Sequence, residues 1–166
     1  MAAVFFRGVS LALCALLLGG CVAKYKPDLS GKPSAKFFID GSKTRDPWFA
    51  GVAISTDVYS YKSCKDFTFL GRIKGKDGKL NGPFAIPAGQ RMHMIFIHFL
   101  DYGQNGSVQT DYPFTFVPQA GAEYAVSLDT MEKGFRDFNV VRHLPGGKTQ
   151  EVAVNSWKTK CAAAGG

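Results

Sequence analysis

The chain has 166 residues, of which 46% are apolar and 20% charged, with 20 Lys and Arg against 13 Asp and Glu for a net charge of +7. That is material for one ordinary domain with a real core, not for two domains. Fourteen Phe, six Tyr and two Trp, with Gly and Pro scattered along the chain, exclude a disordered chain.

Met1 to Gly20 reads as a removable signal. Arg7 gives a positive n-region, Gly8 to Leu18 is an apolar run of 11 residues, and Gly19-Gly20 offers a small-residue cleavage site. The run falls short of the ~20 residues a spanning helix needs, and no later segment is apolar enough to supply one. Residues 21–166 are then the working chain, with net charge +6 once Arg7 leaves.

The run closes as Leu18-Gly19-Gly20-Cys21. This resembles the lipobox of bacterial lipoproteins, in which Leu, two small residues and Cys end the signal. The match rests on Leu18, Gly20 and Cys21, with Gly19 a less usual residue at its place. The resemblance implies a diacylglycerol thioether on Cys21, cleavage before it and acylation of the new amine. Two or more acyl chains hold a protein stably at a bilayer where one does not. In enterobacterial lipoproteins an Asp after the Cys favours the inner membrane. Val22 stands there, so the resemblance implies an outer-membrane lipoprotein facing the periplasm. The alternative is an ordinary secretory signal with Cys21 incidental.

Residues 21–34 have no periodicity and are rich in Lys, Pro, Gly and Ser. They read as a lipidated flexible tether reaching roughly 40 Å when extended. Lys24, Lys26, Lys32 and Lys36 lie near the anchor and could meet anionic headgroups at about 1 kcal/mol each, or simply solvate the tether.

Four Cys are present. Cys14 leaves with the signal and Cys21 takes lipid, so Cys64 and Cys161 remain as a pair in an oxidising compartment. A Cys64–Cys161 disulfide would close nearly the whole domain, worth on the order of 4–5 kcal/mol by chain entropy. Two buried thiols are the alternative. No Cys-x-x-Cys spacing supports a redox-active pair.

From residue 35 the period is two, not 3.6. Strands are expected at Ala35–Asp40, Trp48–Asp57, Lys65–Ile73, Leu80–Ile86, Gln90–Tyr102, Val108–Val117, Glu123–Met131, Phe135–Leu144 and Thr149–Val154. Trp48, Ala50, Val52 and Ile54 share one face of the second, and Phe67, Phe69 and Ile73 one face of the third. Asp77-Gly78 suits a turn with left-handed backbone. Gln90–Tyr102, apolar on both faces, reads as a central strand. Pro113 pushes its strand toward a sheet edge. The spacing predicts an all-β fold, an antiparallel β-sandwich of about eight strands over residues 35–161. It is expected to be immunoglobulin-like or transthyretin-like, with residues 162–166 a frayed tail.

Ile86-Pro87-Ala88-Gly89 and Phe114-x-Phe116-x-Pro118-x-Ala120-Gly121-x-x-Tyr124 resemble a pattern in small uncharacterised bacterial lipoproteins. There a Gly turn starts a central strand and a Phe-Pro-Gly-Tyr corner joins two later ones. The resemblance implies the fold and no activity. A buried Tyr124 is expected to engage nearby backbone through its hydroxyl, much as in a tyrosine corner.

Met92, Met94 and His98 share one strand face and His93 the other. Thioether and imidazole suit copper, but Met92 and His98 stand about 20 Å apart along a strand, so only Met92 and Met94 could serve one ion, with help from a neighbour. Adaptable Met filling a core strand is the alternative. Gly147-Lys148-Thr149 mimics the end of a phosphate loop, but Arg142 stands where the first Gly is required, and the flanks read as strand and turn. No nucleophile elbow or zinc spacing appears. The acids Asp101, Asp111, Glu123 and Asp129 are dispersed, and no catalytic residue is expected. Arg72, Lys74, Lys76 and Lys79 make a basic turn that could contact an anionic glycan, lipopolysaccharide or an acidic protein, or could simply solubilise a hairpin tip. Tyr59 and Tyr61, with Trp48, form a possible aromatic patch.

These readings favour a non-enzymatic binding or structural lipoprotein of the envelope, without cofactor, whose partners are the membrane and an envelope protein or glycan but not nucleic acid. The alternatives are copper handling through Met92 and Met94, and an inhibitor or immunity lipoprotein acting on a wall-degrading enzyme. Lipoproteins of secretion machinery with a transthyretin-like fold share this layout. Oligomeric state is open.

Overall fold

The computed structural model describes residues 22–44, 51–63, 66–76, 78–130 and 136–154. The signal 1–20, Cys21, Trp48, Ala50, Cys64, Cys161 and the tail 162–166 lie outside the described residues.

Side chains that alternate in polarity bury one face of a strand, and two such sheets cover each other's apolar faces. Among the described residues the two sheets are built from nine strands: β1 (Ser34–Asp40), β2 (Gly51–Ser63), β3 (Asp66–Lys74), β4 (Leu80–Pro87), β5 (Met92–Asp101), β6 (Ser107–Phe116), β7 (Glu123–Thr130), β8 (Arg136–His143) and β9 (Thr149–Glu151). One sheet has the order β4-β1-β7-β8-β9 and the other β3-β2-β5-β6. The fold is an all-β sandwich, as expected, and each described strand lies within or overlaps one of the nine expected ranges. Strand β1 pairs antiparallel with β4 and parallel with β7. The first two strands lie in different sheets. In the immunoglobulin order they share one, so the strand order departs from that expected sandwich type.

The core lies between the sheets. Phe37, Ile39, Val58, Ile86, Phe96, Val126 and Leu128 are fully buried there, and Phe138 packs its ring 5.9 Å from Phe96 and 5.3 Å from Phe114. Strand β5 sits between β2 and β6 and is covered on both faces along most of its length, which its continuous apolar run requires. Pro113 faces Ile95 on β6, an edge strand, where the missing N–H breaks no ladder. At the β6–β7 corner the Gln119 N–H donates to Tyr124 Oη at 3.0 Å. The expected hydroxyl-to-backbone bond is present, with the hydroxyl as acceptor.

Three expectations for the strands change. Strand β2 runs on to Ser63 because its aromatic positions pair with those of β3: Tyr59 faces Phe69 and Tyr61 faces Phe67. Phe67, Phe69 and Ile73 do not share a face. Val58 pairs with Gly71 and Tyr59 with Phe69, leaving Leu70 as a bulge, and an extra residue reverses the alternation beyond it. Ile73 is therefore buried at 2% exposure while Phe69 is 40% exposed. Strand β9 ends at Glu151, although Val152 N–H still donates to Val140 O and Val152 and Val154 pack on the core.

The segment expected to be a free tether is fastened to the body. Tyr25 N–H donates to Arg72 O at 3.1 Å, Arg72 N–H donates to Ala23 O at 2.8 Å, and Lys24 pairs parallel with Arg72 on the outer edge of β3. The Tyr25 ring enters the core, and its hydroxyl donates to Ala85 O on β4 at 2.9 Å. Among the described residues the body thus includes Ala23–Tyr25, ahead of the expected start at residue 35, with the Tyr25 ring among the core side chains.

Gly71 makes the docking possible. Its φ is +125°, and a Cβ there would stand 2.6 Å from Tyr25 Cα and N. We predict that Gly71→Ala lowers stability by about 2 kcal/mol and opens residues 22–26 to protease. Thermal unfolding and limited proteolysis check this, and an unchanged variant in both assays contradicts the docking.

Candidate functional site

On β2 and β3 the side chains that turn away from the core are aromatic. Alternation sends Asp57, Tyr59 and Tyr61 outward from β2. The hairpin register brings Phe69 beside Tyr59 and Phe67 beside Tyr61, and the β5 register adds His93 beside Tyr59. The rings touch: Tyr59–Phe69 centroids are 5.1 Å apart, Tyr59–His93 5.5 Å, Phe67–His93 5.6 Å and Tyr61–Phe67 6.0 Å. The Arg91 guanidinium lies 5.5 Å over the Tyr61 ring, a cation–π contact of about 0.5–1 kcal/mol at such a surface. Phe69 is 40% exposed, and Tyr59, Tyr61 and Phe67 are half-buried. The result is an aromatic layer on the outside of a sheet.

Of this layer only Tyr59 and Tyr61 were anticipated. Its sequence signal is the mirror-image spacing Tyr59-x-Tyr61 and Phe67-x-Phe69 about a tight hairpin. The unbroken period of two, which puts Phe67 and Phe69 on one face with Ile73, hides that signal, because the bulge at Leu70 shifts the phase between them.

His93 is buried within the layer at 6% exposure. Burial lowers its pKa below the usual histidine value, and a hydrogen bond with the Phe114 backbone opposes part of that shift. Burial also raises the Tyr59 pKa, and the Asp57 charge adds to it.

Beside the layer, Arg72 donates from Nε to Asp57 Oδ1 at 2.5 Å and from Nη2 to Oδ2 at 2.8 Å. The bond to Asp57 holds the guanidinium pKa above its ordinary value. The two residues are cross-strand partners. Both main-chain groups of Arg72 point outward, to Ala23 and Tyr25, so the pair is of the non-hydrogen-bonded kind in which side chains stand closest. Of the four residues of the expected basic contact, Arg72 is therefore held by a carboxylate. Lys74 and Lys76, with Arg72, rim an open cleft of ≈ 470 Å³ floored by Val52, Ile54 and Ser55. Lys79 pairs with Lys76 across the turn. This shoulder favours anions.

Met92 and Met94 are fully buried. Their cross-strand partners are Ser60 and Phe116 for the first, and Val58 and Phe114 for the second. In this position the thioethers fill space between the sheets. Among the described residues no group of three or more His, Cys, Asp or Glu could hold a metal ion. The dispersed acids each have their own partner. Asp101 accepts from Gly103 N–H, Asp111 from Gln109 Nε2, Glu123 pairs with Lys36 at 2.7 Å and Asp129 with Lys43 at 2.9 Å. Cys21, Cys64 and Cys161, the expected lipid and disulfide sites, lie outside the described residues.

Compared with family models, curated proteins and solved structures, the chain matches none.

The depressed His93 pKa has a pH consequence. The unfolded chain binds a proton at His93 near pH 6.5 while the folded chain does not, so this contribution to stability is present above that pH and is lost as pH falls below it. We predict that His93→Phe, which keeps an aromatic ring in the layer, flattens the loss of stability just below pH 6.5. Denaturant unfolding between pH 7 and 5 measures it, and an unchanged slope in the variant contradicts the assignment.

Proposed function

We propose that this protein is a lipid-anchored lipoprotein of the bacterial envelope, held at the outer membrane by acylated Cys21 and facing the periplasm. Its rigid sandwich acts as a non-enzymatic binding or structural module for an envelope protein or glycan. The observation that carries the reading is the close of the 11-residue apolar run on Leu18-Gly19-Gly20-Cys21, after the single positive charge of Arg7. Among the described residues no helix is long and apolar enough to cross a membrane, so the reading relies on the acyl chains for attachment.

The body suits such a role. A sandwich core holds its surfaces in fixed relation, and attachment to a bilayer confines them to one plane, raising their effective concentration toward any partner there. The outer edges of β6 and β9 offer main-chain groups that a partner strand could extend. The Cys64–Cys161 crosslink belongs to the same reading, because export places both thiols in an oxidising compartment.

Protein extracted from its host membranes is expected to carry diacylglycerol and an amide-linked acyl chain on Cys21, seen in the mass of its N-terminal peptide. Cys21→Ser is expected to carry no acyl label and to retain Met1–Gly20. An unmodified Cys21 thiol in the wild-type protein contradicts the proposal.

A further inference from the structure

We infer that the outward face of the β2–β3 hairpin, bearing Tyr59, Tyr61, Phe67 and Phe69, lies against the phospholipid bilayer that holds Cys21. The inference rests on the lipoprotein reading and adds to it an orientation and a lipid-contacting surface.

The leash is short. Ala23 is already bonded to Arg72 N–H, so only Val22 separates the acylated residue from the folded body. Two Cα–Cα steps reach at most about 7.6 Å. A body on such a leash cannot stand off the membrane, and some part of its surface must meet the headgroups.

The leash also has a direction. Lys24 pairs with Arg72 in parallel, so residues upstream of it run along β3 toward Leu70 and Phe69, not toward the Lys76–Lys79 turn. The acyl chains therefore leave the protein beside the aromatic layer. Val22 and Phe69, 50% and 40% exposed, are the large apolar side chains nearest that exit.

The chemistry of the face fits an interface. Aromatic rings with a polar end settle at headgroup depth, where one part is apolar and the other wet. Tyr59 and Tyr61 are of this kind, and Arg91 over Tyr61 places a cation at the same level. Charge complementarity follows the same edge. Lys24, Lys26 and Lys74 are exposed along it, where each cation near an anionic leaflet is favourable. The opposite sheet lies one sandwich thickness away, about 10 Å, and presents the exposed run Lys148, Thr149, Gln150 and Glu151 to the aqueous side. Under this orientation the partner surface is sought on that sheet and on the loops at its ends.

The test places a photo-crosslinking residue in the full chain, Phe69→p-benzoylphenylalanine in one variant and Lys148→p-benzoylphenylalanine in another. Both are expressed so that the signal is processed, then purified and reconstituted in phosphatidylethanolamine–phosphatidylglycerol vesicles. After irradiation, position 69 is expected to yield phospholipid adducts by mass spectrometry and position 148 none above background. Adducts at neither position, at both equally, or between position 69 and a second protein overturn the inference. The Cys21 peptide from the same samples separates the two ideas. An acylated Cys21 with position 69 unlinked to lipid overturns the orientation and leaves the anchor standing, whereas an unacylated Cys21 removes both.

Discussion

Tyr25 joins three parts of this molecule with one side chain. Its N–H is bonded to β3, its ring lies in the core and its hydroxyl is bonded to β4. Burial raises the phenol pKa well above its usual range, so the group stays a neutral donor through the neutral and mildly alkaline range. A two-sheet sandwich has open flanks where its edge strands end, and an edge strand presents unpaired N–H and C=O groups. Residues 23–25 cover the outer edge of β3 while Tyr25 ties that edge to β4.

Gly71 and the Leu70 bulge make room for that contact. The bulge turns Ile73 inward and leaves Arg72 with its guanidinium on Asp57 and its main chain on Ala23 and Tyr25. A single irregularity in β3 thus serves two ends. It seats the N-terminal segment, and it keeps Phe67 and Phe69 outside the core, where they join Tyr59 and Tyr61. The aromatic layer and the docked segment are neighbours for one structural reason, and the inferred membrane-facing surface follows from it.

Much of the fold was legible because period-two patterning is a direct record of burial. Val52 and Ile54 on β2, the continuous run of β5 and Pro113 on β6 each announced a face, a central place or an edge. The Tyr124 corner was legible for a similar reason, since a buried phenol must find a polar partner. The docking of Tyr25 was not. A lone aromatic in a Lys- and Pro-containing stretch has no period, and the groups it bonds, Arg72 O and Ala85 O, are main-chain atoms no residue type reveals. The β3 bulge was hidden likewise, because a bulge shifts phase without changing composition. Of the candidate site, Tyr59 and Tyr61 were visible and Phe67 and Phe69 were misassigned by that phase shift. The basic turn was visible as charge, but not the bond that commits Arg72 to Asp57.

The claim on which the rest depends is that residues 23–25 are part of the sheet. The amide of Arg72 reports on it alone, since this N–H points away from β2 and has Ala23 O as its acceptor. Hydrogen–deuterium exchange of the protein, read at single-residue resolution, is expected to find the Arg72 and Tyr25 amides protected alongside those of the β2–β3 ladder. Exchange of both at the rate of an open chain, with that ladder still protected, would contradict the account.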